Sequence, residues 1–391
     1  MAKRVDSGPG GPPSDESSSG RGVVDLADAR VRLRSRPGHV SDERLMEELD
    51  EVNLLLDQGL SAEARTRLTS LISSARGNPS ILALARCALS TALEMQGHYR
   101  ESLAAVAMYE SQESRAKLDE KVVQSLRVQI GLAYNYNGDH PKAIAILKAA
   151  LRDFSDTDAK LGPTYAALAR VYRNITEYPI ARDYAHRALE QFRQTGEWRG
   201  LTEAYFGIAL ADIQEGNYES GLENFEQALK LIGDRPASYT LGRIYANMAG
   251  ACWFLKRPQE GIRYLEKAIS YYERTDHKTS AANGYNNLGL NLILIGQWGR
   301  AQEALERALS LASEVDERGD KVPMILDSLG ELLMLRGELD EAREYLRRAV
   351  SLANENGNKW YAGQALRTLG RCYLAMEDEA KALDKGKEAL A

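Results

Sequence analysis

Two arginines, Arg170 and Arg173, stand three residues apart in a segment whose apolar spacing predicts a helix. Side chains three residues apart share one face of a helix, so both guanidinium groups are placed to bind a single acidic group. A structural role is equally open, either on a solvated face or in an ion pair with Glu203 or Asp212 further along the chain.

Asparagines and large rings accompany these arginines at related positions. An amide offers both a donor and an acceptor, which suits the backbone of an extended peptide. A ladder of such amides therefore predicts a peptide-binding groove. For Trp253 and Phe206 we favour packing between helices over ligand contact. The asparagines of this ladder are Asn135, Asn174, Asn247, Asn286 and Asn287.

Catalytic chemistry has little support in this sequence. Its five histidines are scattered, and it contains no metal-binding or nucleophile motif and no glycine-rich phosphate loop that follows a strand. We therefore expect no enzyme activity, no metal site and no cofactor.

The elements that position these residues repeat along the chain. A small residue recurs every 38 to 41 positions, a second follows twelve later, and a third follows seven after that. A period of this kind predicts stacked helical hairpins. The clear triplets are Gly131/Ala143/Ala150, Ala169/Ala181/Ala188, Ala209/Gly221/Ala228, Ala249/Gly261/Ala268, Gly289/Ala301/Ala308, Gly330/Ala342/Ala349 and Gly370/Ala382/Ala389, with weaker copies at Ser90/Ser102/Tyr109 and Val52/Ala64/Leu71.

Small residues at this spacing let two antiparallel helices approach closely, and glycine between them accepts the left-handed conformation that ends a helix. Turn glycines stand at Gly97, Gly138, Gly216, Gly296 and Gly337.

The triplets resemble the tetratricopeptide repeat family, over roughly residues 45–391. The unit is longer than the family's usual 34 residues, and in this it is similar to kinesin light chains, Pins-type adaptors and bacterial Rap-type regulators. The resemblance implies that the first helix of each hairpin lines a concave groove, through positions three before, one after and four after the small residue. That rule adds Arg367 and Arg371 to the groove residues above.

We therefore expect an all-α, right-handed superhelical solenoid of about eight to nine antiparallel hairpins over residues 43–391. Residues 1–42 are rich in Gly, Ser and Pro and predict a disordered tail with a basic end. Four arginines near that end suggest either a docking arm or, as we favour, a solvated tether.

Composition limits the partners. A net charge of −6 over 391 residues argues against a nucleic-acid partner. The three cysteines fall in separate hairpins, which indicates a reducing compartment. The sequence has neither a signal peptide nor an apolar stretch of membrane-spanning length, so we expect a cytoplasmic protein.

The C-terminal hairpin ends without a polar capping helix, which such arrays normally have. Leu374, Leu383 and Leu390 then have no following helix to pack against. Three explanations are open: a continuation of the chain, a homodimer through this edge, or a frayed last helix. We favour the first two.

Three functions fit these observations. The leading one is a non-enzymatic scaffold that binds a peptide or helix of a partner protein, with acidic character, in the groove. The alternative is a sensor or regulatory module of a bacterial signalling or transcription-regulatory protein whose output domain is absent from this chain. An enzyme, the third, would need a further domain.

Overall fold

The computed structural model describes residues 40–153 and 161–390, and this part of the chain is α-helical without a β-strand. Its nineteen helices are α1 (Val40–Gln58), α2 (Ser61–Ser74), α3 (Pro79–Met95), α4 (Tyr99–Val106), α5 (Gln112–Arg115), α6 (Glu120–Tyr136), α7 (His140–Arg152), α8 (Leu161–Asn174), α9 (Tyr178–Thr195), α10 (Trp198–Gln214), α11 (Tyr218–Ile232), α12 (Ser238–Phe254), α13 (Pro258–Tyr272), α14 (Lys278–Leu294), α15 (Trp298–Val315), α16 (Lys321–Arg336), α17 (Leu339–Glu355), α18 (Lys359–Ala375) and α19 (Glu379–Leu390).

The helices form nine hairpins within the described residues. The first two are α1–α2 and α3–α4, the short α5 follows, and α6 to α19 pair consecutively. The predicted all-α solenoid of eight to nine hairpins is thereby confirmed. The tail predicted for residues 1–42 lies almost wholly outside the described residues, which begin with α1 at Val40.

The small residues of the repeat lie where two helices of a hairpin meet. A Cβ atom added to Gly131 would come within 2.7 Å of Leu147 Cγ, and one added to Gly289 within 2.6 Å of Leu305 Cγ. Such distances are far inside van der Waals contact, so only glycine fits there without repacking. The large residue sixteen positions on therefore fills the space that the missing side chain leaves.

Each hairpin turn contains a residue with positive φ, seven positions after the first small residue. The predicted turn glycines all adopt it, as does Gly59. Three hairpins use another residue type at this position, namely Thr176, Lys256 and Glu377, with φ near 60°. In each turn the next backbone N–H bonds a carbonyl five residues back, as in Glu177 to Tyr172, which is the Schellman way of ending a helix.

The sequence did not predict that the superhelix closes on itself. The turn between α1 and α2 contacts the fifth and sixth hairpins, up to 215 residues away along the chain. Repeat arrays normally make contacts between neighbours only. The first six hairpins of this chain therefore surround an axial channel.

Candidate binding channel

Arg170 lies on α8, and two neighbours fix its guanidinium group. It donates to the Tyr136 hydroxyl at 3.0 Å and forms an ion pair with Glu203 of α10. Burial raises the pKa of Glu203, but the nearby arginines outweigh it and hold that pKa below its ordinary value. Of the two roles open for Arg170, the structure therefore shows the ion pair within the solenoid.

Arg173 lies one turn further along α8 and makes no ion pair with any residue in the described ranges. Burial, and then repulsion by Arg170, lower the pKa of its guanidinium group to about 10, and Glu203 offsets only part of this. The charged form of Arg173 is thus destabilised where it stands. Burial takes away the water that would stabilise this charge, and an anion bound to Arg173 would stabilise it instead.

A third arginine, Arg243 of α12, belongs to the same cluster. Its guanidinium group lies 4.2 Å from the centre of the Phe206 ring and 5.7 Å from that of Tyr239. It is close enough to disfavour the charge on Arg173 and to favour the charge on Glu203. Contacts with ring faces neutralise no charge, so Arg243 adds to the positive potential of the channel.

Glu94 of α3 faces this cluster from the second hairpin. Burial raises the pKa of its carboxyl to about 7, although hydrogen bonds from Ser102 at 3.0 Å and Gln129 at 2.8 Å and the charge of Arg170 lower it. Near neutral pH this carboxyl is only partly ionised. The three arginines therefore outnumber the negative charges around them.

The Arg170 side chain is mostly buried among these groups and keeps 21% of its surface exposed.

The predicted asparagines do not form one continuous ladder. Asn174 donates to Asn135 at 3.1 Å, so those two meet, while Asn247 donates to the carbonyl of Arg243 in its own helix. Asn135 and Asn286 are buried between helices, and Asn287 is exposed.

The two predicted rings differ in exposure. Phe206 is buried against Phe225, with ring centres 5.5 Å apart, while Trp253 is half-buried. Packing, which the sequence favoured for both rings, is what the structure shows for Phe206.

Arg367 and Arg371 lie on α18, and both are exposed. Arg371 pairs with Glu331 of α16 at 3.0 Å. Nearby Asp327 has its pKa raised to about 6 by burial. This mixed cluster is separate from the arginines of α8, because it belongs to the last two hairpins.

Sequence reasoning missed Arg243 and Glu94 and gave Glu203 only a structural role. Glu203 and Arg243 both stand six positions before the small residue of their repeat. That position is one helical turn before the first groove position used above, so extending the pattern by one turn would have found both residues.

The tetratricopeptide repeat model matches residues 240–314 and 322–391, and a second model of the same repeat matches residues 202–235. These segments and the nine hairpins share one register. Over these segments the repeating unit matches the tetratricopeptide repeat. No curated protein sequence is significantly similar to this one.

Solved structures with the same fold include two that are described as sensors. The quorum sensor NprR from B. thuringiensis, in its apo form, matches 89% of this chain and 98% of its own at 14% identity, with a TM-score of 0.61. A signal transduction ATPase with a tetratricopeptide repeat sensor from Pyrococcus horikoshii matches 84% of this chain and 52% of its own at 15% identity, with a TM-score of 0.62. A Rap protein complexed with competence and sporulation factor matches 88% of this chain and 99% of its own at 18% identity, with a TM-score of 0.51. At these identities the likeness shows the fold.

None of the helices in the described ranges is long and apolar enough to cross a bilayer. The three cysteines are buried and unbridged. Burial raises the pKa of the Cys87 thiol to about 12, which makes a reactive thiolate at that position unfavourable.

Proposed function

We propose that this tetratricopeptide repeat protein is an interaction or regulatory module that binds an acidic segment of a partner protein, or an acidic peptide, in its axial channel. The repeat family supports the general role, and the arginine cluster supports the acidic ligand. Tetratricopeptide repeats supply a concave surface rather than a reaction centre, and the channel offers no obvious nucleophile beside a base.

The observation that carries this proposal is the unpaired Arg173. Arg170 is already neutralised by Glu203, whereas Arg173 is desolvated and repelled by its neighbours. A carboxylate beside Arg173 would gain a charge-assisted hydrogen bond, worth about 1.5–3 kcal/mol when the pair is desolvated. Asn174, which is exposed next to Arg173, is available to hold the peptide backbone.

The test is a selection of random peptides on the purified chain, followed by affinity measurements. We expect the selected peptides to be acidic and Arg173→Ala to weaken their binding at least tenfold. The double variant Arg170→Ala/Arg173→Ala should weaken it further, although it leaves Glu203 without its partner. Arg187→Ala is the matched control, because Arg187 is an exposed arginine of α9 that pairs with Asp183 at 3.0 Å.

Unchanged affinity in Arg173→Ala, or selected peptides without acidic residues, would contradict the acidic-ligand proposal. Binding should also weaken as salt rises, since ions screen the attraction between charges.

The regulatory role has one observation of its own in its favour. The superhelix is closed by a polar contact between distant hairpins, and a ligand that opened this contact would change the shape of the superhelix. A scaffold that only displays a groove has no need of such a contact.

A second copy of this chain is the partner that we propose for the C-terminal edge. Leu374, Leu383 and Leu390 of the last hairpin are 58%, 61% and 90% exposed. Apolar side chains this exposed are normally covered, and a symmetric pair of edges would cover both at once.

A further inference from the structure

The contact that closes the superhelix is small and polar, and it joins the turn of the first hairpin to two later ones. We call it the closing contact. It consists of Asp57, Gly59, Ser61 and Ala62 on one side and Arg199, Tyr239, Thr275 and Asp276 on the other.

Charged and polar groups provide its specificity. Arg199 of α10 makes two parallel contacts with the Asp57 carboxylate, one of them from Nε at 3.2 Å. The hydroxyl of Ser61 donates to Asp276 at 3.0 Å, and the N–H of Ala62 donates to the same carboxylate. These bonds join residues that are 142 to 215 positions apart, so the coil of the solenoid alone brings them together.

Gly59 fixes how closely the two sides approach. Its φ is +80°, and a Cβ atom added to it would lie 2.7 Å from Thr275 Cγ2 and 2.9 Å from Tyr239 Cβ. The turn therefore fits the sixth hairpin only because this residue has no side chain.

The closing contact is weak compared with the contacts along the array. Neighbouring hairpins share continuous apolar cores, such as the one running from Met46 to Ala181. By contrast the Asp57 and Arg199 side chains keep 27% and 23% of their surface in solvent. Ion pairs that water reaches contribute little to stability. The contact can thus open while every hairpin stays folded.

Opening would expose the arginine cluster from the side. Tyr239, whose Cβ lies against the first turn, carries the Arg243 guanidinium group over its ring. In the closed form a ligand has to enter along the channel axis, whereas in the open form it can enter between the first and sixth hairpins.

We infer that the closing contact is a reversible gate that controls access to the axial channel. The inference rests on the proposed function for the identity of the ligand, but not for the opening itself. A peptide with a free end can thread the closed channel, while an internal segment of a folded partner needs the gate open.

The gate is tested without any ligand by charge reversal. Asp57→Arg and Arg199→Asp each place like charges together, and the double variant Asp57→Arg/Arg199→Asp restores an opposite pair. The readout is labelling of Ala166→Cys, one turn before Arg170 on α8, with the bulky reagent fluorescein maleimide, relative to the small reagent iodoacetamide. We expect each single reversal to speed relative labelling at least tenfold and the double variant to return it to within threefold of the parent.

A steric change in the turn provides a second test. A side chain at Gly59 would collide with Thr275 and Tyr239, whereas Gly97 has the same φ of +80° and open space where a Cβ atom would lie. Gly59→Ala should therefore speed labelling of Ala166→Cys at least tenfold. Gly97→Ala, which places the same residue in the same backbone conformation, is the matched control and should leave labelling within threefold of the parent.

Equal labelling in the parent and the single reversals would overturn the gate, as would reversals whose effect the double variant does not correct. Fluorescein-labelled hexaglutamate is the separate probe for the proposed ligand. If labelling follows the gate but hexaglutamate binds no form, the gate stands and the acidic-ligand proposal fails. Because hexaglutamate has free ends and can thread the closed channel, it tests the acidic ligand alone, and the labelling of Ala166→Cys tests the gate.

Discussion

At the scale of single residues, the channel brings together ionisable side chains, and burial disfavours the charged form of each. Arg173 is a cation without an ion-pair partner in the described chain, and Glu94 is a carboxyl with its pKa raised to about 7. Structural ion pairs alone would satisfy each other, as Arg170 and Glu203 do. Ionisable groups without a partner are typical of ligand sites, because a ligand can supply the opposite charge or the hydrogen bond that the protein does not.

Glu94 gives a pH prediction. Its folded pKa lies near 7 and its unfolded value near 4.5, so the folded state binds the proton more tightly. The stability from this carboxyl is therefore fully present below about pH 4.5 and is lost as pH rises through 7. We expect Glu94→Gln, which still accepts bonds from Ser102 and Gln129, to stabilise the protein by about 1–2 kcal/mol at pH 8.

The measurement is urea unfolding of the parent and Glu94→Gln at pH 5 and pH 8. The difference between the two proteins should be smaller at pH 5. A gain of equal size at both pH values would show that ionisation of Glu94 is not its cause.

At the scale of elements, the repeat register was predictable and its exceptions were not. The spacing of small residues identified the hairpins, because it reflects contacts within one hairpin, such as Gly131 with Leu147. The turn position was identified only where glycine occupies it. At Thr176 the backbone adopts φ +64° without glycine, since the two helices it joins dictate the turn.

Thr176 therefore gives a stability prediction. A β-branched residue in the left-handed region is strained by about 1–2 kcal/mol. Glycine removes this strain, but it also makes the unfolded chain more flexible, which offsets part of the gain in stability. We expect Thr176→Gly to stabilise the protein by about 0.5–1 kcal/mol, measured by urea unfolding. The side chain is exposed, so its loss costs no packing.

Gly216→Thr is the matched reverse change, because Gly216 occupies the same turn position with φ +84° and an added Cβ atom would have nothing within 4 Å of it. It should destabilise the protein by about 1–2 kcal/mol. A destabilised Thr176→Gly would mean that this turn is not strained by its side chain.

At the scale of the whole molecule, the sequence predicted a groove but not the contact between distant hairpins that closes it. Arg170 and Arg173 were placed on one face because they belong to one helix. Arg243 and the closing contact depend on the rotation that accumulates from hairpin to hairpin, and small differences between repeats set it. No local sequence pattern gives this total rotation, so the contact of Ser61 with Asp276 can be seen only in the folded chain.

The exposed C-terminal edge gives the last prediction. Each hairpin of a repeat array is stabilised by both neighbours, but α19 packs against the array on one side only within the described residues. Its Leu383 and Leu390 point into solvent at 61% and 90% exposure. We expect light scattering to show a mass that rises toward a dimer with concentration, and Leu383→Lys/Leu390→Lys to remain monomeric.

The unfolding free energy of that lysine variant shows whether the exposed leucines stabilise the monomer or serve only to pair two copies. At low concentration it should match the parent within about 0.5 kcal/mol, because exposed side chains away from the core contribute little to the folded monomer. Lysine at both positions adds charge to a surface that self-association would have to bury, and an unpaired charge resists burial. A parent that stays monomeric at every concentration, with the same unfolding curve as the variant, would mean that this edge tolerates water and does not pair with a second copy.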